Sequence, residues 1–122
     1  MLQRKYLNGV EILSVEIDKL KTNLKEIAKK IKTDNSLVSK IILFGSFSKN
    51  NYTPYSDIDI AIILKYTNKK FLERQDEFIE YFKPLPFDVN LVVYTEDEFT
   101  RMSHDRNSLI SEIEKGIVLI SS

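Results

Sequence analysis

Apolar residues recur every three or four positions near the N-terminus, which predicts an amphipathic α-helix of about 14–32. The apolar stripe of this helix consists of Ile17, Leu20, Leu24, Ile27, Ala28 and Ile31. Lysines occupy the opposite side, which is better interpreted as solvated surface than as a binding site. Ser14 suits the N-cap position, because its hydroxyl can accept from free backbone N–H groups. Before it, Asn8-Gly9 is a turn signal, and residues 10–13 fit a short strand or a helical lead-in.

Three short apolar runs predict buried strands at residues 37–44, 57–64 and 87–94. Residues 69–83 are predicted to form a helix that ends at Pro84 and Pro86. The apolar members of that helix are Phe71, Leu72, Phe78, Ile79 and Phe82. A connection of this length favours parallel pairing of the second and third strands. The first strand is expected to be antiparallel to the second.

The C-terminal part predicts two short helices. Thr95-Glu96-Asp97-Glu98 has the pattern of a capping box and opens a helix of about 96–102. Asp105 is a candidate cap for a last helix that runs through Lys115, with Gly116 as its C′ residue. Three side chains of that helix are expected to point inward: Leu109, Ile110 and Ile113. Residues 117–120 fit a final strand or an apolar tail on the core.

The composition is typical of one soluble globular domain spanning residues 1–122, with 43% hydrophobic and 30% charged residues. The 18 Lys and Arg residues balance the 18 Asp and Glu residues, so strong non-specific nucleic-acid binding is not expected. The absence of cysteine excludes disulfides, thiolate nucleophiles and cysteine-type zinc sites. No apolar run approaches the roughly 18 residues of a membrane span, and the N-terminus lacks a signal-peptide core. A cytoplasmic location is therefore expected.

Two carboxylates open the second predicted strand. Asp57 and Asp59 alternate with Ile58, so both acids point to one face, with Cα atoms roughly 6.6 Å apart. Such carboxylates repel each other unless a cation lies between them, and Mg²⁺ suits that position because it also binds water and substrate phosphate. A lone Asp-x-Asp is more often a strand end whose acids point to solvent.

Chain direction brings more polar residues to the same edge of the sheet. An antiparallel first strand ends at Gly45-Ser46, and a parallel third strand begins near Asp88. Glycine lets a phosphate approach the backbone, and Ser46 with the N–H groups of a following short helix can hold phosphate oxygens. An ordinary strand-to-helix turn also fits Gly45-Ser46 taken alone. Together these residues predict a three-acid metal site beside a phosphate site.

The motif Gly45-Ser46-Phe47-Ser48-Lys49-Asn50, followed after five residues by Ser56-Asp57-Ile58-Asp59, resembles the signature of the polymerase β-type nucleotidyltransferase superfamily. It is similar in particular to the small stand-alone minimal nucleotidyltransferases, whose pattern is Gly-Ser-x-Ala-Arg-Gly, five residues and Ser-Asp-x-Asp. The resemblance covers roughly residues 14 to 120. Ser48 replaces alanine, and Lys49 replaces an arginine whose bidentate fork is lost. Asn50 replaces glycine, but asparagine tolerates a left-handed backbone.

The resemblance implies an α/β (α+β) fold: a small mixed sheet, with a catalytic core of about 37–94 between the N-terminal helix and the helices of about 96–115. It implies a nucleotidyltransferase that uses two Mg²⁺ ions and a nucleoside triphosphate, ATP above all. The implied metal ligands and catalytic residues are Asp57, Asp59 and Asp88. The residues implied in nucleotide binding are Gly45, Ser46, Lys49 and Ser56.

The resemblance also suggests a partner. Minimal nucleotidyltransferases of this kind are typically paired with a helical HEPN ribonuclease toxin, and some transfer AMP to a tyrosine of that toxin. Because the chain has little beyond the catalytic core, the leading hypothesis is an antitoxin in a hetero-oligomer that adenylylates a hydroxyl of its HEPN partner. Two alternatives remain: an inhibitor that acts by contact with a vestigial site, and a nucleotidyltransferase for a small molecule or an RNA end.

Overall fold

The computed structural model describes residues 1–122, apart from the side chain of Ile12. The elements in chain order are β1 (Leu2–Leu7), β2 (Val10–Val15), α1 (Ile17–Asp34), β3 (Val38–Phe44), α2 (Ser46–Lys49), β4 (Ile58–Leu64), two 3-10 helices (Phe71–Glu77 and Ile79–Phe82), β5 (Val89–Thr95), α3 (Glu96–His104), α4 (Ser108–Glu114) and β6 (Ile117–Ser121). No helix in this description is long and apolar enough to cross a lipid bilayer.

The central sheet has four strands in the order β5-β4-β3-β6. Strand β3 is antiparallel to both β4 and β6, and β4 is parallel to β5. The predicted strand directions and the mixed α/β class are therefore confirmed. The C-terminal apolar stretch is an edge strand of this sheet, not a loose tail.

The sheet separates two apolar layers. Helix α1 and the 3-10 segment cover one face, where Leu24, Ile60 and Phe78 are buried together. Helices α3 and α4 cover the other face, where Ala61, Ile63 and Ile110 are buried. Alternation along β4 assigns Ala61 and Ile63 to the same face as the acidic residues that begin the strand. The candidate site therefore lies at the end of the α3–α4 face.

The N-terminal residues form a hairpin, and the predicted start of the first helix is wrong. Ser14 pairs with Gln3 across β1 and β2, so its backbone is extended and the helix begins three residues later. Glu16 is the N-cap and makes no side-chain capping hydrogen bond. The predicted turn at Asn8-Gly9 is confirmed, with φ values of 50° and 77°.

The segment predicted as a helix of residues 69–83 consists of two 3-10 helices instead. Phe78 and Phe82 are buried as expected, but Phe71 and Leu72 are 43% and 77% exposed. One inward position of this segment is taken by a charged residue: Arg74 is buried, and its guanidinium binds Glu98 of α3. The spacing of apolar residues in the sequence cannot predict a buried arginine, because arginine is counted as polar.

The capping box at Thr95 is confirmed: the Glu98 N–H donates to Thr95 Oγ1 at 3.2 Å, and the Thr95 N–H donates to Glu98 Oε1 at 2.8 Å. The cap predicted for the last helix is wrong. Asn107 caps α4 by accepting from two backbone N–H groups through Oδ1, whereas Asp105 ends α3. Helix α4 begins at Ser108, and Leu109 in its first turn is 40% exposed and does not point inward as predicted.

Candidate functional site

Asp57 and Asp59 lie where β4 begins, on the face that carries Ala61 and Ile63 further along the strand. Ile58 between them is fully buried on the opposite face. Burial of Ile58 fixes the register of the strand start, so both carboxylates must project to the same side. The pair is thus positioned by the core and not by contacts between the acids.

Gly45 lies against the carboxylate of Asp59. Phe44 pairs with Asp59 across β3 and β4, and the next residue, Gly45, turns the chain with φ 75° and ψ −154°. A Cβ at Gly45 would lie 2.1 Å from Asp59 Oδ2 and 3.1 Å from its Cγ. Glycine is required at this position both by the backbone conformation and by the space that the Asp59 carboxylate takes.

Asn90 connects the two acids. Its Nδ2 donates to Asp59 Oδ1 at 3.1 Å and lies 3.3 Å from Asp57 Oδ2. The parallel register pairs Asp59 with Asn90, which brings their side chains together on one face. No sequence motif indicates a role for Asn90. Its position beside Asp59 follows only from the register of β5 against β4.

Asp88 lies at the same edge of the sheet. It precedes β5, and its carbonyl accepts the N–H of Ile58 at 2.8 Å. Its exposed side chain and that of Asp57 line a cleft of about 340 Å³, together with Pro54, Tyr55, Ser56, Leu85, Pro86 and Phe87. Within the described part of the chain, no three His, Cys, Asp or Glu side chains form a group that could hold a metal ion. The three-acid site therefore stays a prediction.

The turn after β3 leads into α2, a helix of four residues that starts at Ser46. Its Phe47 is buried and stacks on Tyr52 with ring centroids 5.1 Å apart, so Tyr52 packs the motif loop against the core. Asn50 adopts φ 61° and ψ 24°, and its N–H donates to the carbonyl of Ser46. The left-handed backbone expected at this departure from the family pattern is confirmed.

Two further predicted nucleotide-binding residues have protein partners. The ammonium of Lys49 forms an ion pair with Glu112 of α4, and this hydrogen bond lowers the pKa of the Glu112 carboxyl. The hydroxyl of Ser56 accepts the N–H of Thr53 at 2.8 Å and shapes the turn that precedes Asp57. Ser56 therefore orients the backbone just before Asp57. Lys49 is held by α4, which lies outside the motif of residues 45–59.

The donor set fits a divalent cation that prefers oxygen ligands, such as Mg²⁺. One nitrogen atom, Asn90 Nδ2, contacts both Asp57 and Asp59, so a single point between the carboxylates is accessible to a positively polarised group. Mg²⁺ is typically bound by one or two carboxylates and completes its shell with water and phosphate oxygens. The site has the ligands for that role on an exposed edge of the sheet.

Comparison with known proteins covers the same region of the chain. A family model described as the nucleotidyltransferase domain matches residues 24–120, a range that includes every candidate residue above and excludes β1 and β2. Among curated protein sequences, nothing matches this chain.

Solved structures resemble the fold. A crystal structure from Sulfolobus solfataricus, assigned as a nucleotidyltransferase, has a TM-score of 0.62 and 19% identity and covers 86% of this chain and 83% of its own. A toxin–antitoxin structure with AMP-PNP has a TM-score of 0.59 and 26% identity, with 80% and 73% coverage. A mutant of the toxin–antitoxin MntA-HpeT has a TM-score of 0.57 and 24% identity, with the same coverage.

Proposed function

Since this chain belongs to the nucleotidyltransferase domain family, we propose that it transfers AMP from ATP to a hydroxyl group of a partner protein. The observation that carries the proposal is the arrangement of Asp57 and Asp59, whose carboxylates share one face and contact one nitrogen atom beside the Gly45 turn. Nucleotidyl transfer needs such a cation-binding pair directly beside a place for the triphosphate.

In the proposed reaction the acceptor oxygen forms a bond to the α-phosphorus, the bond to the β-phosphate breaks, and pyrophosphate leaves. Mg²⁺ bound by Asp57 and Asp59 would stabilise the attacking and leaving oxygens. Asp88, which lines the same cleft as Asp57, accepts the proton of the attacking hydroxyl. Ser46, where the Gly45 turn meets α2, holds the β- and γ-phosphates, and Lys49 is the cationic candidate for the triphosphate.

The cleft beside Asp57 and Asp88 supports an acceptor that arrives on another macromolecule. It is open to solvent, and Tyr55, one of its lining residues, is 83% exposed. The solved structures that resemble this chain include two toxin–antitoxin assemblies. We therefore propose that the chain is a cytoplasmic antitoxin, and that its acceptor is a HEPN-family ribonuclease toxin, the partner that the motif resemblance implies.

The test is transfer of label from α-³²P-ATP to a purified HEPN-family toxin, the proposed partner, in the presence of Mg²⁺. We expect labelling by the wild-type chain and none by Asp57→Asn. The matched control is Asp97→Asn, which removes an exposed carboxylate in α3, away from the site. Labelling that persists in Asp57→Asn, or that is lost equally in Asp97→Asn, contradicts the proposal.

Inhibition by contact alone is the second candidate, and the ion pair between Lys49 and Glu112 favours it. Lys49 is the one basic residue in the motif from Gly45 to Asp59, and this pair engages its charge within the protein. A contact inhibitor would suppress the toxin without ATP and would suppress it equally well as Asp57→Asn. Calorimetric titration of Mg²⁺-ATP separates the candidates, because an inhibitor with a vestigial site binds the nucleotide weakly.

A further inference from the structure

We infer that Asn90, and not Asp88, occupies the third ligand position beside Asp57 and Asp59, so that the site takes one divalent cation where a three-carboxylate site takes two. The inference rests on the proposed function for the identity of the site. It changes what that site can bind, because a neutral amide stands where a third carboxylate was predicted.

The backbone register is the first observation. Parallel pairing of β4 with β5 aligns Ile58 with Val89 and Asp59 with Asn90. Neighbouring strands lie roughly 4.8 Å apart, so side chains of aligned residues on one face are in direct reach. Asn90 is therefore the residue of β5 that the strand register places beside Asp59. Asp88 lies just before β5 and has no aligned partner in this register, although its carbonyl accepts the N–H of Ile58.

The side-chain contacts are the second observation. Asn90 Nδ2 contacts both carboxylates of the pair, at 3.1 and 3.3 Å. Asp88 does not join the pair in a three-residue group within the described part of the chain. A half-turn about the Cβ–Cγ bond of Asn90 exchanges its two N–H donors for the acceptor Oδ1. The same side chain can therefore hold the carboxylates together without a cation and ligate a cation once it is bound.

Charge then determines how many cations the site accepts. Asp57 and Asp59 together supply two negative charges, which balance one divalent ion. Two-metal sites hold ions roughly 3.5–4 Å apart, and the repulsion between such ions is usually offset by further carboxylates. With Asn90 in the third position that offset is missing. We therefore expect one cation, bound weakly by the protein alone and more tightly together with the triphosphate.

Titration with Mn²⁺, followed by the EPR signal of the free ion, tests the inference on the full chain without a transfer assay. The wild-type chain is expected to bind one Mn²⁺, with higher affinity when a non-hydrolysable ATP analogue is present. Asn90→Asp is expected to raise the affinity about tenfold and to add a second Mn²⁺, because it restores a third carboxylate. Asp88→Asn is expected to bind Mn²⁺ like the wild type.

Asn68→Asp is the matched control. It makes the same chemical change at an exposed residue beyond the opposite end of β4, so it adds the same charge away from the site. A gain in affinity in both Asn90→Asp and Asn68→Asp, or a clear loss of Mn²⁺ affinity in Asp88→Asn relative to the wild type, overturns the inference. These outcomes are independent of transfer: a chain that binds one Mn²⁺ as described but labels no partner would contradict the proposed function alone.

Discussion

The carboxylate of Asp59 takes the space that a side chain at Gly45 would need. An ideal Cβ at Gly45 would lie 2.1 Å from Asp59 Oδ2, well inside any allowed contact. The two residues meet because β3 ends at Phe44, which pairs with Asp59, and Gly45 is the next residue. The glycine of the motif is therefore needed to make room for the acid of the motif.

Gly45→Ala is expected to displace Asp59 and to weaken binding of Mn²⁺ and of Mg²⁺-ATP by about ten- to a hundredfold, the range seen when a ligand's support is lost. The backbone at φ 75° adds strain, so we also expect a loss of about 1–3 kcal/mol in the free energy of unfolding. Calorimetric titration measures the first effect and urea denaturation the second.

Gly9→Ala separates the two effects. Gly9 has nearly the same φ, 77°, but nothing lies within 4 Å of the Cβ that alanine would add. The variant should therefore show backbone strain in the hairpin turn and unchanged binding of nucleotide. Equal loss of nucleotide binding in the Gly9 and Gly45 variants would show that contact with Asp59 is not the cause.

The strand directions could be predicted from the sequence because they follow from local features. The apolar runs mark the buried strands, and the length of the connection between β4 and β5 favours a parallel pair. Which residue of β5 meets Asp59 could not be predicted in the same way. The predicted strand of residues 87–94 begins at Val89 in the structure, and the sequence does not give its register against β4, which pairs Asp59 with Asn90.

Ion pairs between residues distant in the chain could not be predicted from the sequence either. Lys49 and Glu112 are 63 residues apart, and Arg74 and Glu98 are 24 apart. Apolar periodicity identifies helix faces and strand faces, but a charged pair leaves no periodic signal. The capping box at Thr95 was predicted correctly because both of its partners lie within one helical turn.

Release of Lys49 from Glu112 is expected to strengthen nucleotide binding. Glu112→Gln removes the charge that holds the ammonium, and Lys49 then becomes available to the triphosphate. Because both side chains are substantially exposed, the expected gain in affinity for Mg²⁺-ATP is small, about two- to threefold. Glu114→Gln, which removes the same charge two residues later in α4, controls for net charge. An equal gain in both variants, or no gain in Glu112→Gln, argues against Lys49 as a phosphate ligand.

Gly116 is expected to be needed for packing and not for a left-handed cap. Its φ is not positive, but an added Cβ would lie 2.4 Å from the carbonyl oxygen of Leu43 and 2.8 Å from Cγ2 of Ile42. Gly116→Ala should lower the free energy of unfolding by about 1–3 kcal/mol, because backbone on β3 would have to shift. Urea denaturation measures this, and Lys115→Ala at the exposed neighbouring position is the control. Similar stability of the two variants would contradict the packing explanation.

Arg74 and Glu98 join the 3-10 segment to α3 through two hydrogen bonds, from Nη1 at 2.6 Å and from Nη2 at 3.2 Å. Arg74 is buried, and its Nη1 and Nε also donate to the carbonyls of Val93 and Lys69. Glu98 in turn accepts the Thr95 N–H in the capping box. The Glu98 carboxylate therefore both caps the start of α3 and pairs with the buried guanidinium of Arg74.

This network is expected to make the stability of the protein depend on pH. The hydrogen bond from Arg74 lowers the pKa of Glu98 below its ordinary value of 4.5, so the folded state favours the ionised carboxylate. The resulting stability is fully present above that ordinary value and is lost as the pH falls through the lowered pKa of the folded state. Glu98→Gln should therefore lower the free energy of unfolding at pH 7 by about 2 kcal/mol, and its stability difference from the wild type should shrink below pH 4.5.

Urea denaturation at several pH values measures both effects, with Glu96→Gln as the control at an exposed acid of the same helical turn. A constant difference between Glu98→Gln and the wild type from pH 7 to pH 3 would contradict the role of this ion pair, because uncharged contacts alone would then account for the loss.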